Sequence, residues 1–265
     1  MQIDPFQKLK NAQREGWALF APLETITTPT AATLVRFAEI RAGQRVLDVA
    51  CGTGVVAITA ARLGAVVQGL DLSPVLLRRA EANASIAGVN VGLSEGDLES
   101  LPFHDGEFDV VVSQFGHMFA PRPSVATSEM LRVLKPGGTL AFSTWPPEMF
   151  MGRMFHLVNQ YLPPPVGVPP TTDWGTPETV RERLGVAIRD LYFERNLMTT
   201  AALSPMHFRD LFERTSAPII KLLQSLNNDP ARLVEFRTCF DALATEYFHN
   251  NTMRQHYLMT RSTKI

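Results

Sequence analysis

Two rhythms of apolar and polar positions run along this chain. Residues 6–20 and 29–40 carry apolar positions at helical spacing, and the Thr-rich stretch 25–30 reads as a joint between two amphipathic helices. From residue 46 a regular alternation starts. Short apolar, β-branched runs at 46–49, 65–70, 89–94, 108–112 and 139–144 predict strands, and alanine- or leucine-rich helical patterns at 55–63, 74–87 and 124–134 lie between them. Ser73-Pro74 predicts a helix start, with serine as N-cap and proline at the first helical position, and Gly88 predicts its stop. Lys135-Pro136-Gly137-Gly138 predicts the end of the third helix. Strands alternating with helices imply a parallel sheet covered on both faces, with its core at about residues 44–145.

After Trp145 the rhythm breaks. Residues 149–162 read as an apolar helix, and Pro163-Pro164-Pro165 with Pro169-Pro170 as a stiff extended loop. A short helix opens at Thr176-Pro177-Glu178 and ends near Gly185; a strand is expected at 186–198, helices from Ser204-Pro205 to about His249, and a last strand at 255–261. The pattern predicts one domain. Residues 1–43 form an N-terminal helical cover, 44–145 a ligand-binding core, 146–185 an inserted lid, and 186–265 strands and helices that complete the fold.

Composition narrows the function only slightly. The net charge of −1 makes no electrostatic case for nucleic acid or an anionic membrane. No apolar run approaches the roughly 20 residues that span a bilayer. Met1-Gln2-Ile3-Asp4-Pro5 lacks the charged head and apolar core of a signal peptide, so a cytoplasmic setting is expected. Two cysteines, Cys51 and Cys239, form no disulfide framework and no metal site.

The chemistry lies in Val46-Leu47-Asp48-Val49-Ala50-Cys51-Gly52-Thr53-Gly54. Here a strand runs into a glycine turn that lets a ligand approach the backbone. Gly52-Thr53-Gly54-Val55-Val56-Ala57 fits the glycine pattern of dinucleotide sites, and Asp71 follows at the usual distance for a ribose ligand. Two cofactors fit that turn. Asp48 separates them, because a carboxylate beside the turn opposes a diphosphate and favours a ligand carrying a cation. Its structural alternative is to cap the turn.

Five segments in order carry a resemblance. They are Val46 to Gly54, Gly69-Leu70-Asp71-Leu72-Ser73, Gly96 to Phe103, Phe108 to Ser113, and Leu131 to Gly138. Together they resemble the motifs of class I S-adenosylmethionine-dependent methyltransferases, in the small-molecule branch that includes ubiquinone and menaquinone C-methyltransferases. The resemblance implies a Rossmann-like, doubly wound α/β fold with a mostly parallel seven-stranded sheet, N-terminal helices and a helical insertion after strand five that forms a lid. It implies S-adenosyl-L-methionine as cofactor and S-adenosyl-L-homocysteine as product. Gly52 and Gly54 would wrap the methionine portion and Asp48 orient its ammonium. Asp71 would hold the ribose, Leu72 pack on the adenine, Asp97 accept from the adenine amine, and Leu98 offer a backbone N–H. Ser113 and Gln114 would sit beside the methionine, with Phe20 and Thr28 closing from the N-terminal side. For Asp97 the competing role is turn chemistry, and for Phe20 plain helix packing. Ala50 stands where many members carry a glycine, which is tolerated if the position needs no positive φ.

Methyl transfer from this cofactor is a direct displacement that asks the protein mainly for alignment and exclusion of water. His117, just past the fourth strand, is the candidate base if the acceptor must lose a proton. Its alternative is to line the pocket or cap the loop. Trp145, Met149, Phe150, Met151, Met154, Phe155 and Tyr161 predict an adaptable apolar surface and hence an apolar or aromatic small-molecule acceptor. The other readings are a nicotinamide-dependent oxidoreductase and a cofactor-binding protein without catalysis.

Overall fold

The structure is a computed structural model describing residues 5–265, so the reading of Met1–Asp4 as free of a leader lies outside the described residues. Parallel strands β1 (Arg45–Val49), β2 (Val66–Asp71), β3 (Gly92–Glu95), β4 (Phe108–Gln114) and β5 (Leu134–Thr144) form most of one sheet. Strand β6 (Ile188–Ala201) and strand β8 (Thr252–Lys264) complete it, with β8 antiparallel to β5 and β6 antiparallel to β8. The order is β3-β2-β1-β4-β5-β8-β6, and the two-residue β7 (Phe248–His249) pairs β8. Helices α1 (Gln7–Gly16), α2 (Glu24–Phe37), α3 (Val55–Arg62), α4 (Pro74–Ala87) and α5 (Pro123–Val133) belong to the cover and the alternating core. This is the doubly wound, mostly parallel α/β sheet that the alternation predicts. Val46, Leu47, Val49, Val110, Val111 and Val112 are buried, as expected of central strands covered on both faces.

Local departures have local causes. Residues 25–30 are no joint: they lie inside α2, and Thr27, Thr28 and Thr30 bond their hydroxyls back to carbonyls three or four residues earlier. A 3-10 segment, Trp17–Leu23, joins α1 to α2 instead. Ser73 precedes Pro74 as expected, but its buried hydroxyl makes no cap bond; its N–H is held by Asp71 Oδ1. Lys135-Pro136-Gly137-Gly138 does not separate helix from strand. β5 starts at Leu134, opposite Phe108, and next pairs at Thr139, opposite Val110, so the four residues bulge out within the strand.

The chain after β5 forms α6 (Phe150–Tyr161) and α7 (Pro177–Leu184), then, between β6 and β8, α8 (Pro205–Thr215), α9 (Ala217–Ser225) and α10 (Pro230–Tyr247). Ser204 caps α8 by accepting the His207 N–H at 3.2 Å. α6 packs on α10 through Phe150 and Phe240, with ring centroids 6.1 Å apart. Among the described residues no helix is long and apolar enough to cross a membrane.

Candidate cofactor and acceptor site

The strand order reverses between β1 and β4, and the carboxyl ends of those strands open onto one cavity. Asp48 lies in its wall although only 1% exposed. Its Oδ2 accepts the Ala57 N–H at 3.0 Å and so ties the turn to α3. Its Oδ1 is buried and takes no hydrogen bond from any described residue. Burial pushes the carboxyl up to about 8; the Ala57 N–H opposes that shift and the charge of Asp71 adds to it.

The turn is left-handed at Ala50 (φ +53°), Gly52 (+56°) and Gly54 (+82°). The condition under which alanine would sit at position 50 without strain, the absence of a positive φ, is therefore not met. Alanine is held there at a cost of about 1 kcal/mol, and Gly116 packs so close that a Cβ on it would lie 2.5 Å from the Ala50 Cβ. Ala50 and Gly52 line the cavity. Gly54 does not; it is the N-cap of α3, where a Cβ would meet the Ala80 Cβ at 3.1 Å.

Asp71, the last residue of β2, also lies in the wall. Its Oδ2 accepts the Gly52 N–H and its Oδ1 the Ser73 N–H, both at 2.8 Å, so it pins the glycine turn to the second strand. Burial raises this carboxyl above the usual range, and the backbone amides of Ser73, Gly52 and Leu72 hold it down. Leu72 and Leu98 line the cavity near it. Asp97 closes a turn, its Oδ1 accepting the Glu99 N–H at 2.9 Å, and it also lies in the cavity wall. Its Oδ2 accepts from Lys10 at 2.7 Å.

Four expectations from sequence meet different fates. Gln114 lines the cavity; its amide donates to the Thr27 carbonyl at 2.9 Å, and its Oε1 is buried and unpaired. Ser113, one residue earlier and so on the other face of β4, does not. Its hydroxyl donates to the Val49 carbonyl at 2.9 Å and accepts the His117 N–H at 3.0 Å. Phe20 lines the cavity, edge-on to Trp17 at 5.9 Å. Thr28 is exposed with its hydroxyl on the Glu24 carbonyl, and Thr27 takes the place in the wall, because a helix over these residues turns Thr28 outward.

His117 is corrected as a candidate base. It is fully buried away from the cavity, against Phe142 at 4.4 Å and Trp174 at 4.8 Å. Neither ring nitrogen has a hydrogen-bond partner among the described residues. Burial, with the charge of Arg183 behind it, pulls its pKa down to about 3, so the ring is neutral and faces no acceptor. His104 and His156 are exposed and lie outside the cavity wall.

Beyond the glycine turn the cavity is an apolar chamber. Phe115 stacks on Trp145 with centroids 3.9 Å apart and planes 6° from parallel, and both line it. Phe115 holds this position at φ +58°, rare for a bulky residue. Trp17 and Phe119, 4.6 Å apart, face the same space. From the inserted helix come Met151, Met154 and Phe155, as the sulfur-rich pattern predicts, whereas Phe150 and Tyr161 pack on α8 and α10. Of residues 146–185, only α6 reaches the chamber. Met198 of β6, Phe212 of α8, Ser216 and Pro218 at the start of α9, and Gln255 of β8 close it, none of them singled out from sequence. Their placement depends on chain crossings that leave no local signal.

This geometry accepts a ligand with one cationic and one planar apolar part. A diphosphate would face the Asp48 side chain without a donor for its Oδ1, whereas an ammonium such as that of S-adenosylmethionine would give that oxygen a partner. Comparison with known proteins agrees. A family described as a methyltransferase domain matches residues 46–138. An uncharacterized protein of Mycobacterium tuberculosis (strain ATCC 25618 / H37Rv) is 36% identical over 256 residues, which is 95% of this chain and 93% of that one. A ubiquinone biosynthesis O-methyltransferase of Ralstonia nicotianae is 34% identical over 144 residues, 54% of this chain and 60% of its own. The crystal structure of a putative methyltransferase from Bacillus halodurans C-125 shares the fold, with a TM-score of 0.59 at 22% identity over 88% of this chain and 98% of that one. The motifs, the sheet order and these relatives lead to one conclusion: the chain belongs to the class I S-adenosylmethionine-dependent methyltransferases, and S-adenosylmethionine is its cofactor.

Proposed function

We propose that this protein transfers a methyl group to an apolar or aromatic small molecule held in the chamber beyond the glycine turn. The observation that carries the reading is the juxtaposition of Asp48, a buried carboxylate with one oxygen unpaired, and an aromatic, sulfur-rich chamber in a single cavity. When bound, the cofactor supplies a methyl already activated on a sulfonium.

The chain's residues bind and exclude. Asp48 receives the ammonium. The backbone at Gly52 faces the methionine end, while Asp71, held by two amides, keeps lone pairs for the ribose hydroxyls. Leu72 and Leu98 pack on the adenine, and Asp97 faces its amine. The cover, residues 7–27, lies over this end through Gln13, Trp17, Phe20, Leu23 and Ile26. With α6, α8 and α9 it keeps water from the reacting atoms. The whole chain thus works as one domain, whose cover, core and inserted helices enclose a single site.

Alignment supplies the rate. With His117 in the core, no histidine among the described residues lines the cavity, and the acceptor faces the amides of Gln13 and Gln255 and the hydroxyl of Ser216. An acceptor that enters already ionised, or with a soft neutral nucleophile, needs no base from this wall. The test is calorimetric titration with S-adenosylmethionine, S-adenosylhomocysteine and NADH, followed by a screen of phenolic, quinol and thiol acceptors for methylated product. Binding of NADH alone, or transfer only to small, strongly polar acceptors with no apolar or aromatic part, would overturn the reading.

A further inference from the structure

Lys10 stands apart in this molecule. It lies on α1 yet is only 3% exposed, and its ammonium is 2.7 Å from Asp97 Oδ2 and 2.6 Å from Glu99 Oε2. The Glu99 side chain is 1% exposed. Arg122 holds it from the other side, with Nε at 2.8 Å, Nη2 at 2.7 Å and the backbone N–H at 2.6 Å. Two cations and two carboxylates from three distant parts of the chain thus meet at the loop after β3. Both Lys10 and Asp97 also line the cofactor cavity.

A lysine taken this far out of water is a weak source of stability, since well-packed apolar residues do as well. What the pair does provide is a fixed register between two elements. α1 also meets this side of the core through the Gln13 amide on the Phe119 carbonyl at 3.0 Å and the exposed pair Arg14–Glu95 at 2.6 Å. Exposed pairs of that kind hold little. The buried cluster is therefore the bolt of the cover on its α1 side, and it fastens onto the same carboxylate that faces the adenine end.

We propose that Lys10 is a positioning residue that latches the N-terminal cover onto Asp97 and Glu99, orienting the Asp97 carboxylate for the adenine amine and setting how fast the cofactor exchanges. The inference rests on the reading of Asp97 as an adenine contact. Asp97 is shared: Oδ1 serves its own turn, and Oδ2 lies between the latch and the ligand. Cofactor exchange requires the cover to lift, and the cover lifts when Lys10 leaves the pair.

The experiment compares wild type with Lys10→Met, Lys10→Arg and Arg14→Ala by two readouts. One is hydrogen exchange in residues 7–23 without ligand, and the other is the dissociation rate of S-adenosylhomocysteine. Lys10→Met is expected to raise exchange in the cover while β1 and β4 stay protected, and to speed dissociation roughly tenfold or more. Lys10→Arg restores part of both, and Arg14→Ala leaves both near wild type. Unchanged exchange in the cover of Lys10→Met overturns the latch. Faster exchange with an unchanged dissociation rate overturns its control of the cofactor. A wild-type protein that binds no S-adenosylhomocysteine overturns the proposed function, and with it the gating role, while the ligand-free exchange still reads the latch by itself.

Discussion

Cofactor affinity should fall steeply with acid, and the cause is a single carboxylate. Without ligand, Asp48 is buried with one oxygen unpaired and its pKa is pushed up to about 8. At pH 7 most molecules therefore hold it protonated. A cation can pair with Oδ1 only after that proton leaves, so below pH 8 binding expels about one proton. Affinity then drops nearly tenfold for each pH unit, about 50-fold between pH 8 and pH 6. The sign for stability runs the other way. A carboxyl whose folded pKa lies above its ordinary 3.8 contributes most below that value, and the contribution is lost as pH rises toward 8. At about 1.4 kcal/mol per unit, some 4 kcal/mol of ligand-free stability is given up between pH 4 and pH 7. Asp48→Asn still accepts the Ala57 N–H, so it should be more stable than wild type at pH 7 yet bind cofactor more weakly at pH 8, with the pH slope gone. The assay is calorimetric titration with S-adenosylhomocysteine at pH 6, 7 and 8, in two buffers of different protonation heat. A flat affinity with no proton release would show that Asp48 does not meet the ammonium.

Other outcomes follow from the same geometry. His117→Phe should keep wild-type turnover, since the ring lies off the cavity; a large loss of turnover in a folded variant would return His117 to the mechanism. The wild-type histidine, with its folded pKa of about 3 below the ordinary 6.5, contributes stability that is present above pH 6.5 and lost as pH falls toward 3. That loss is about 3 kcal/mol by pH 4.5, and urea titration should find much of it absent in His117→Phe. Gly116→Ala should destabilise the protein by about 2–3 kcal/mol, because its Cβ would meet Ala50 at 2.5 Å; a thermal midpoint equal to wild type would mean that the two loops can separate freely. Asp71→Ala should weaken S-adenosylhomocysteine binding by about 1.5–3 kcal/mol and lower stability as well, since the Gly52 and Ser73 amides lose their acceptor. Unchanged affinity would remove Asp71 from the ribose.

What could be read from the sequence was whatever a short stretch of chain decides by itself. The strand alternation, the stop at Gly88, the cap at Ser204 and the glycine turn after β1 depend on neighbours a few positions away, and they stand in the structure. Side-chain direction at one-residue resolution was not legible where the secondary structure was misread. The resemblance put Thr28 at the cofactor, and the helix that runs through residues 25–30, read from sequence as a joint, puts Thr27 in the wall instead. Contacts across long separations left no trace: Lys10 meets Asp97 from 87 positions away, and nothing in α1 marks that lysine as buried. His117 looked functional because it follows the fourth strand, but at the start of the 3-10 turn His117–Phe119 its ring packs against Phe142 and Trp174, off the cavity wall.

Four unfavourable features of the fold meet at one place, and this bears on what the place is for. Asp48 is a carboxylate out of water with an unpaired oxygen, and Gln114 keeps another unpaired oxygen at the end of the adjacent strand. Ala50 and Phe115, just past the ends of those two strands, both hold left-handed backbone that their side chains disfavour. Gly116 lets Ala50 be approached so closely that neither loop can relax without moving the other. A sheet selected only for stability would carry a glycine at position 50 and an apolar residue at 48. Keeping Asp48 costs stability in the ligand-free protein, and under the proposed function a cationic ligand would return it, which would link binding and folding through that residue. The same linkage explains why Asp48 could be recognised from sequence while the strain around it could not. The carboxylate is a choice of residue, visible in one position, whereas the left-handed angles at Ala50 and Phe115 are imposed by the packing of two loops that are far apart in the chain.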